Sequence, residues 1–356
     1  MRKLFLILLS MISLYASSQE VSCSIPDTSK AVIIFTSNGG TVVDAVYSLS
    51  DSVKVRFAHG NLMYQPSTNR WKIADRQFDI VGGVSTKEPT GTHGTIWEDG
   101  KRCTNKVSDR TKYDGWLDLF SWGASGWYGS DEGEDSTKNA SWRNSHNEHK
   151  KVTANPYEIN SNYNFVLGGS ESQGMVDEYA NADWGVYHNI ELGGTPECSF
   201  RLPTYEEWNY LFFGRENADK LLAHATILLA GLNGAPDTLI NGILLLPNDW
   251  EERKPIDFHF KDYKHGGNTY NGTNTYTIDE WNYMEGCGAI FLPAAGGAAS
   301  NSDGNKFNRS GFYWVGTPHN GKVYDINFGP ENPVEILVNP SRWHGRAVRL
   351  CQEIKE

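Results

Sequence analysis

Short apolar runs recur along this chain, and clusters of turn residues separate them. Residues 54–57 (KVRF) alternate polar and apolar, the period of a strand with one covered face. Residues 61–65 and 71–73 read as two more short strands. Nearer the start, residues 31–36 (AVIIFT) and 41–47 flank Ser37-Asn38-Gly39-Gly40, a turn signal that predicts a hairpin or an extended leader. Residues 19–50 therefore stand apart from the chain that follows. At the other end, residues 311–316, 323–328, 334–338 and 347–351 are strand-length pieces. His319-Asn320-Gly321, Gly329-Pro330 and Asn339-Pro340-Ser341 divide them, which predicts an antiparallel meander. Residues 334–338 and 347–351 are expected to pair, with the polar, aromatic segment 339–346 leaving the sheet between them.

Two segments break the strand pattern. Thr204-Tyr205-Glu206-Glu207-Trp208-Asn209-Tyr210-Leu211 and Thr277-Ile278-Asp279-Glu280-Trp281-Asn282-Tyr283-Met284 share one arrangement. A Thr able to accept a first-turn N–H is followed three residues later by a Glu able to reach back to the cap. Trp, Tyr and an aliphatic residue then supply an apolar stripe. The pair predicts two similarly capped helices on one core. Pro203 keeps its predecessor extended before the first cap.

Residues 82–165 carry neither period. They are rich in Gly, Ser, Asn, Asp and Trp, and a long irregular stretch holding this much Trp points to function rather than simple disorder. The first residues have a different character. Arg2 and Lys3 precede a mostly apolar run over 4–15, and Ala16-Ser17-Ser18 supplies small residues for cleavage before Gln19. That is the pattern of a secretory signal peptide over residues 1–18, and it predicts export: a secreted, periplasmic or cell-surface protein. The run is too short for the roughly 20 residues that span a bilayer core. The apolar stretch 239–247 is shorter still and is broken by Asn241 and Gly242. No transmembrane segment is expected.

Charge narrows the partners. The formal charge is −11, and loss of Arg2 and Lys3 makes it −13. An acidic surface disfavours nucleic acid and anionic lipid. Twelve Trp, 17 Tyr and 15 Phe supply aromatic faces for a core or for a ligand surface. Five cysteines, Cys23, Cys103, Cys198, Cys287 and Cys351, are too sparse for a disulfide scaffold, and their odd number leaves at least one thiol unpaired.

Several blocks, in order, carry a resemblance. Residues 57–65 (FAHGNLMYQ), 118–126 (DLFSWGASG), 183–187 (DWGVY), 200–208 (FRLPTYEEW), 245–250 (LLPNDW), 291–296 (FLPAAG), Tyr313-Trp314 and 345–350 (GRAVRL) resemble those of the formylglycine-generating-enzyme-like, or sulfatase-modifying-factor, superfamily. The likeness is greatest to its secreted Bacteroidetes-type paralogues. It implies an α+β, C-type-lectin-like fold over residues 51–356, with short antiparallel strands, two helices and long loops. The oxidase members of that superfamily depend on a late cysteine pair for copper-linked chemistry. Residues 314–350 here contain no cysteine, so formylglycine-generating activity is not expected.

The remaining chemistry points to binding. A C-type-lectin-like frame displays loops near its last strands, and loops on a rigid sheet are where binding residues concentrate. Asn339, Arg342, Trp343 and His344 offer a directional amide, a forked donor, a flat apolar face and a titratable ring. Trp127 and Tyr128, from the irregular region, join them as ligand-binding candidates; Trp116, Trp122 and Trp314 are further aromatic candidates, the last two with a core role as the alternative. Equally, Trp343 could cover the sheet edge while Arg342 pairs with an acidic neighbour. No cofactor is expected. Ser302-Asp303-Gly304-Asn305 has the oxygen ligands of a calcium loop, though the same residues form ordinary turns. His146 and His149 lack a third metal ligand, and the acidic run 131–135 reads as a solvated loop. The expected function is an exported, non-catalytic module for a glycan or protein ligand, or a cell-surface interaction protein. The alternative is an extracellular glycan hydrolase, which needs two opposed carboxylates. N-terminal sequencing of the exported protein is expected to begin at Gln19; a chain retaining Met1, or lipidated on Cys23, would refute the export signal.

Overall fold

A computed structural model of the protein describes residues 42–85, 104–106, 109–126, 175, 180, 182–187, 200–231, 237–254, 270, 274–298, 304–320, 322–330, 332–339 and 341–354. The signal peptide, residues 31–36, Trp127, Tyr128, the acidic run, both His146 and His149, Ser302 and Asp303 lie outside the described residues, as do Cys23, Cys103 and Cys198. The strands in chain order are β1 (Tyr47–Ser48), β2 (Lys54–Phe57), β3 (Leu62–Gln65), β4 (Arg70–Ile73), β5 (Gly83–Ser85), β6 (Thr104–Lys106), β7 (Phe200–Arg201), β8 (Leu222–Leu229) and β9 (Thr238–Leu245). They continue with β10 (Thr275–Thr277), β11 (Ile290–Pro293), β12 (Gly297–Ala298), β13 (Gly304–Asn305), β14 (Gly311–Trp314), β15 (Tyr324–Gly329), β16 (Asn332–Val338) and β17 (Cys351–Glu353). Among the described residues, four short α-helices interrupt them: α1 (Trp184–Tyr187), α2 (Tyr205–Asn209), α3 (Trp250–Arg253) and α4 (Ile278–Gly286). The architecture is α+β, with mostly short antiparallel strands and few helices.

Both predicted helix starts are present. Thr204 and Thr277 each accept from the N–H of the Glu three residues on, and that Glu returns a bond to the cap N–H. The first helix runs from α2 into a π-helical turn over Tyr210–Gly214. Trp208 and Trp281 then turn inward and are fully buried. Burial of each such side chain stabilises the fold by about 1.5–3 kcal/mol. The Glu of the first cap has a second role: Arg201 grips both Glu207 oxygens at 2.7 Å, which ties β7 to the start of α2.

The meander forms in part. β14, β15 and β16 make a three-stranded antiparallel sheet. The pairing expected between residues 334–338 and 347–351 does not occur. Among the described residues, β16 pairs with β15 alone, Ala347 bridges in parallel to Tyr313, and β17 joins a different sheet between β2 and β7. Strand propensity placed 311–316, 323–328 and 334–338, while the strand expected over 347–351 forms as Cys351–Glu353; propensity carries no information on distant partners.

The sheet β1-β2-β17-β7 lies between two apolar clusters. Val55, Phe57 and Cys351 point into the larger one, and Phe200 and Leu350, on the alternate positions, point into the other. The edge of the core does not fall at residue 50. Val43, Ala45, Tyr47 and Leu49 belong to the larger cluster, and the Tyr47 hydroxyl donates to the Gly288 carbonyl at 2.6 Å. The stretch 239–247 is mostly β9, which pairs over its whole length with β8. A continuous apolar run of this length does not distinguish strand from helix by period, so its partner was not legible.

One buried cation joins these layers. Arg349 has no exposed surface. Its Nε donates to Asn61 Oδ1 at 3.1 Å, its Nη1 to the Ala58 and His59 carbonyls at 3.2 Å, and its Nη2 to the Phe291 carbonyl at 2.9 Å. Burial pulls its pKa down to about 10, with Tyr313 and Glu285 pulling the other way. Gln77 completes the joint, accepting from Phe291 N–H at 2.8 Å and donating to the Ala289 carbonyl at 3.0 Å. Replacing Arg349 with Met leaves several buried acceptors without donors, at about 1–3 kcal/mol each. Arg349→Met is therefore expected to unfold the protein, or to lower its stability by several kcal/mol and its urea midpoint with it; an unchanged midpoint would show that the joint is not structural.

Candidate functional site

The loop after β16 is built by its own polar residues. Asn339 N–H donates to the Val323 carbonyl at 2.8 Å, and the Asn339 carboxamide accepts from Ser341 N–H at 3.0 Å. Its NH2 donates to Asp325 Oδ2 at 2.8 Å. Arg346 Nε donates to the same oxygen at 2.6 Å, and Arg346 Nη2 lies 3.1 Å from His344 Nδ1. Asn339, Asp325, Arg346 and His344 thus form one connected network. Burial pushes the Asp325 carboxyl above its ordinary value, against the Arg346 charge and the two side-chain donors. Burial, then the Arg346 charge, hold His344 down to about 4. The ring is therefore neutral at pH 7. With Nδ1 facing an arginine donor it must accept there, and its proton sits on Nε2.

A second set of contacts fixes the other side of the loop. Trp122 N–H donates to the Arg342 carbonyl at 2.8 Å, and the Arg342 guanidinium lies 5.0 Å from the Trp122 ring centre. Ser121 Oγ donates to the Trp343 carbonyl at 3.1 Å. Gly345 and Ala298 exchange backbone bonds, as do Arg346 and Phe120. Arg346 also stacks over Phe312, 4.6 Å from its ring centre.

The structure therefore brings Asn339, Arg342, Trp343 and His344 together but divides their roles. Asn339 and Arg342 are buried and hold the loop. Trp343 and His344 are half-buried, with ring centres 4.4 Å apart edge to face, and these are the side chains the loop presents. Trp122 and Trp314 are fully buried core residues whose indole N–H groups donate to Val315 and Phe120 carbonyls. Trp116 is half-buried under the Lys72 ammonium. Asp325 and Arg346 were missed in the sequence. Arg346 sits inside the GRAVRL block, but nothing local marks Asp325 as its partner, 21 residues away.

Among the described residues, no group of three His, Cys, Asp or Glu side chains could hold a metal ion. Gly304 and Asn305, from the stretch with calcium-loop residue types, form β13 against β12. Cys287 and Cys351 are buried free thiols, and burial raises the pKa of both. No helix among the described residues is long and apolar enough to cross a membrane. No protein-family model matches the chain, and neither a curated protein nor a solved structure does.

Breaking the Asp325–Arg346 pair leaves a guanidinium facing an uncharged partner in a mostly buried place. Asp325→Asn is expected to cost about 3–5 kcal/mol. The double variant with Arg346→Met should recover part of that loss in urea denaturation. A single variant as stable as the parent would show that the loop is held by its backbone bonds alone.

Proposed function

We propose that this protein is an exported, non-catalytic binding module with a C-type-lectin-like frame, and that it takes a glycan or protein ligand on the loop 339–346. The observation that supports this most is the division of labour within that loop. Asn339, Arg342 and Arg346 are fixed by bonds to Asp325, Trp122 and Phe120, while Trp343 and His344 stay partly open to solvent. A side chain held this way loses little further freedom on binding, and preorganisation of that kind favours affinity. The indole offers a flat apolar face for a sugar ring or a peptide side chain, and the neutral imidazole offers one N–H beside it.

Catalysis finds less support at this loop. Asp325 is the carboxylate of the network, and it is engaged by Arg346 and Asn339 rather than facing an open cleft. A glycosidase needs a second carboxylate across the scissile bond. Formylglycine chemistry lacks its cysteine pair, since residues 314–350 contain none. The acidic balance continues to disfavour nucleic acid as partner.

The test is a glycan array and a peptide array probed with the purified mature chain, followed by titration of the best ligand. Trp343→Ala should weaken binding at least about tenfold, or 1.4 kcal/mol, with melting temperature unchanged. Unchanged affinity in a folded variant would remove the loop from the binding surface.

A further inference from the structure

In the turn that carries Trp343 and His344, nearly every carbonyl is bonded within the protein. His344 N–H closes the turn on the Ser341 carbonyl at 3.0 Å, with Arg342 and Trp343 at its two central positions. The Arg342 carbonyl accepts from Trp122 N–H at 2.8 Å, and the Trp343 carbonyl from Ser121 Oγ at 3.1 Å. The Gly345 carbonyl accepts from Ala298 N–H at 3.0 Å and from Arg346 Nη1 at 3.1 Å. The Arg346 carbonyl accepts from Phe120 N–H at 2.9 Å. Asn339 Oδ1, beside the turn, is taken by Ser341 N–H. Of the main-chain acceptors over 341–346, the His344 carbonyl alone has no bond within the protein among the described residues.

The donors are left differently. The main-chain N–H and the indole N–H of half-buried Trp343 have no acceptor within the protein among the described residues. His344 supplies a third donor. Arg346 Nη2 lies 3.1 Å from its Nδ1, and a guanidinium nitrogen has nothing to accept with, so Nδ1 accepts and Nε2 carries the proton. The nearest arginine charges serve the fold: Arg346 is bonded to Asp325 at 2.6 Å, and Arg342 is buried against the Trp122 ring. What Trp343 and His344 present is therefore uncharged: an apolar plane, N–H donors and one carbonyl. An anionic group would meet a compensated Arg346 in a chain of net charge −11. A sugar hydroxyl brings no apolar part to the indole. An N-acetyl group matches all three features, because its carbonyl oxygen accepts an N–H, its own N–H has one carbonyl to reach, and its methyl suits the indole face.

We infer that the loop 339–346 recognises the N-acetyl group of an amino sugar, with Trp343 covering its methyl and His344 donating from Nε2 to its carbonyl. This deepens the binding reading above and rests on its glycan choice. Titration of the mature chain with N-acetylglucosamine, glucosamine and glucose, followed through the indole N–H resonances, tests it. N-acetylglucosamine should bind at least about tenfold more tightly than either other sugar, since both lack the paired acceptor and methyl. His344→Phe keeps a flat ring and removes the N–H, and it should abolish that preference. N-acetylglucosamine bound no better than glucose, or a folded His344→Phe variant that keeps the preference, would overturn the assignment. Should that variant not fold, NMR of the parent His344 ring decides together with the three sugars: the proton is expected on Nε2 at neutral pH, and a proton on Nδ1 would overturn it. The two failures are distinguishable. An array ligand without an N-acetyl group that still depends on Trp343 keeps the loop as binding surface and removes the N-acetyl assignment. N-acetylglucosamine binding untouched by Trp343→Ala removes the loop itself.

Discussion

The buried guanidinium of Arg349 is the constraint on which the rest of the structure depends. It lies in the last segment before β17, yet its donors reach the chain at 58–61 and the carbonyl of Phe291. Three stretches that are remote in sequence are thereby joined at one ion. A charge with no water must be surrounded by acceptors. Here they are neutral: main-chain carbonyls, the Asn61 carboxamide and the Gln77 carboxamide at 3.4 Å. Asn61 in turn reaches Tyr313, whose hydroxyl donates to the Pro293 carbonyl at 2.7 Å. Ala74 N–H donates to the Asn61 carbonyl, closing the same region from the other side.

The carboxylates of the recognisable blocks do comparable work. Asp118 accepts from Val81 and Gly82 N–H, and burial pushes its pKa up to about 7 while those donors pull it down. Asp183 accepts from Gly185 and Leu202 N–H, with burial raising it to about 6. Each replaces missing strand bonds for a loop that would otherwise bury bare N–H groups. A fold with so many short strands needs such side chains, because its ladders satisfy only part of the backbone. This accounts for blocks rich in Asp, Asn, Arg and Gly without invoking catalysis at any of them.

Legibility in the sequence followed the range of the interaction. Thr204 and Thr277 were readable because a capping box is complete within four residues. The strands β2, β3, β4, β14, β15 and β16 were readable from local composition and turn residues. The partner of β17 was not, since its neighbours lie at residues 55–57 and 200–201. Nor was the join of residues 43–49 to the core, because alternation over so short a stretch gives no sign of what covers it. At the candidate loop, Arg342 and Trp343 look equally suited to a ligand in a linear sequence. Trp122, 220 positions away in the chain, lies against the guanidinium, and Arg342 is buried while Trp343 is half-buried.

Charge compensation gives the same separation a general form. Buried Arg349 is answered by carbonyls, and the partly buried Arg201 and Arg346 are answered by Glu207 and Asp325. Uncompensated charge in low dielectric is costly, so these contacts are conditions for folding rather than additions to it.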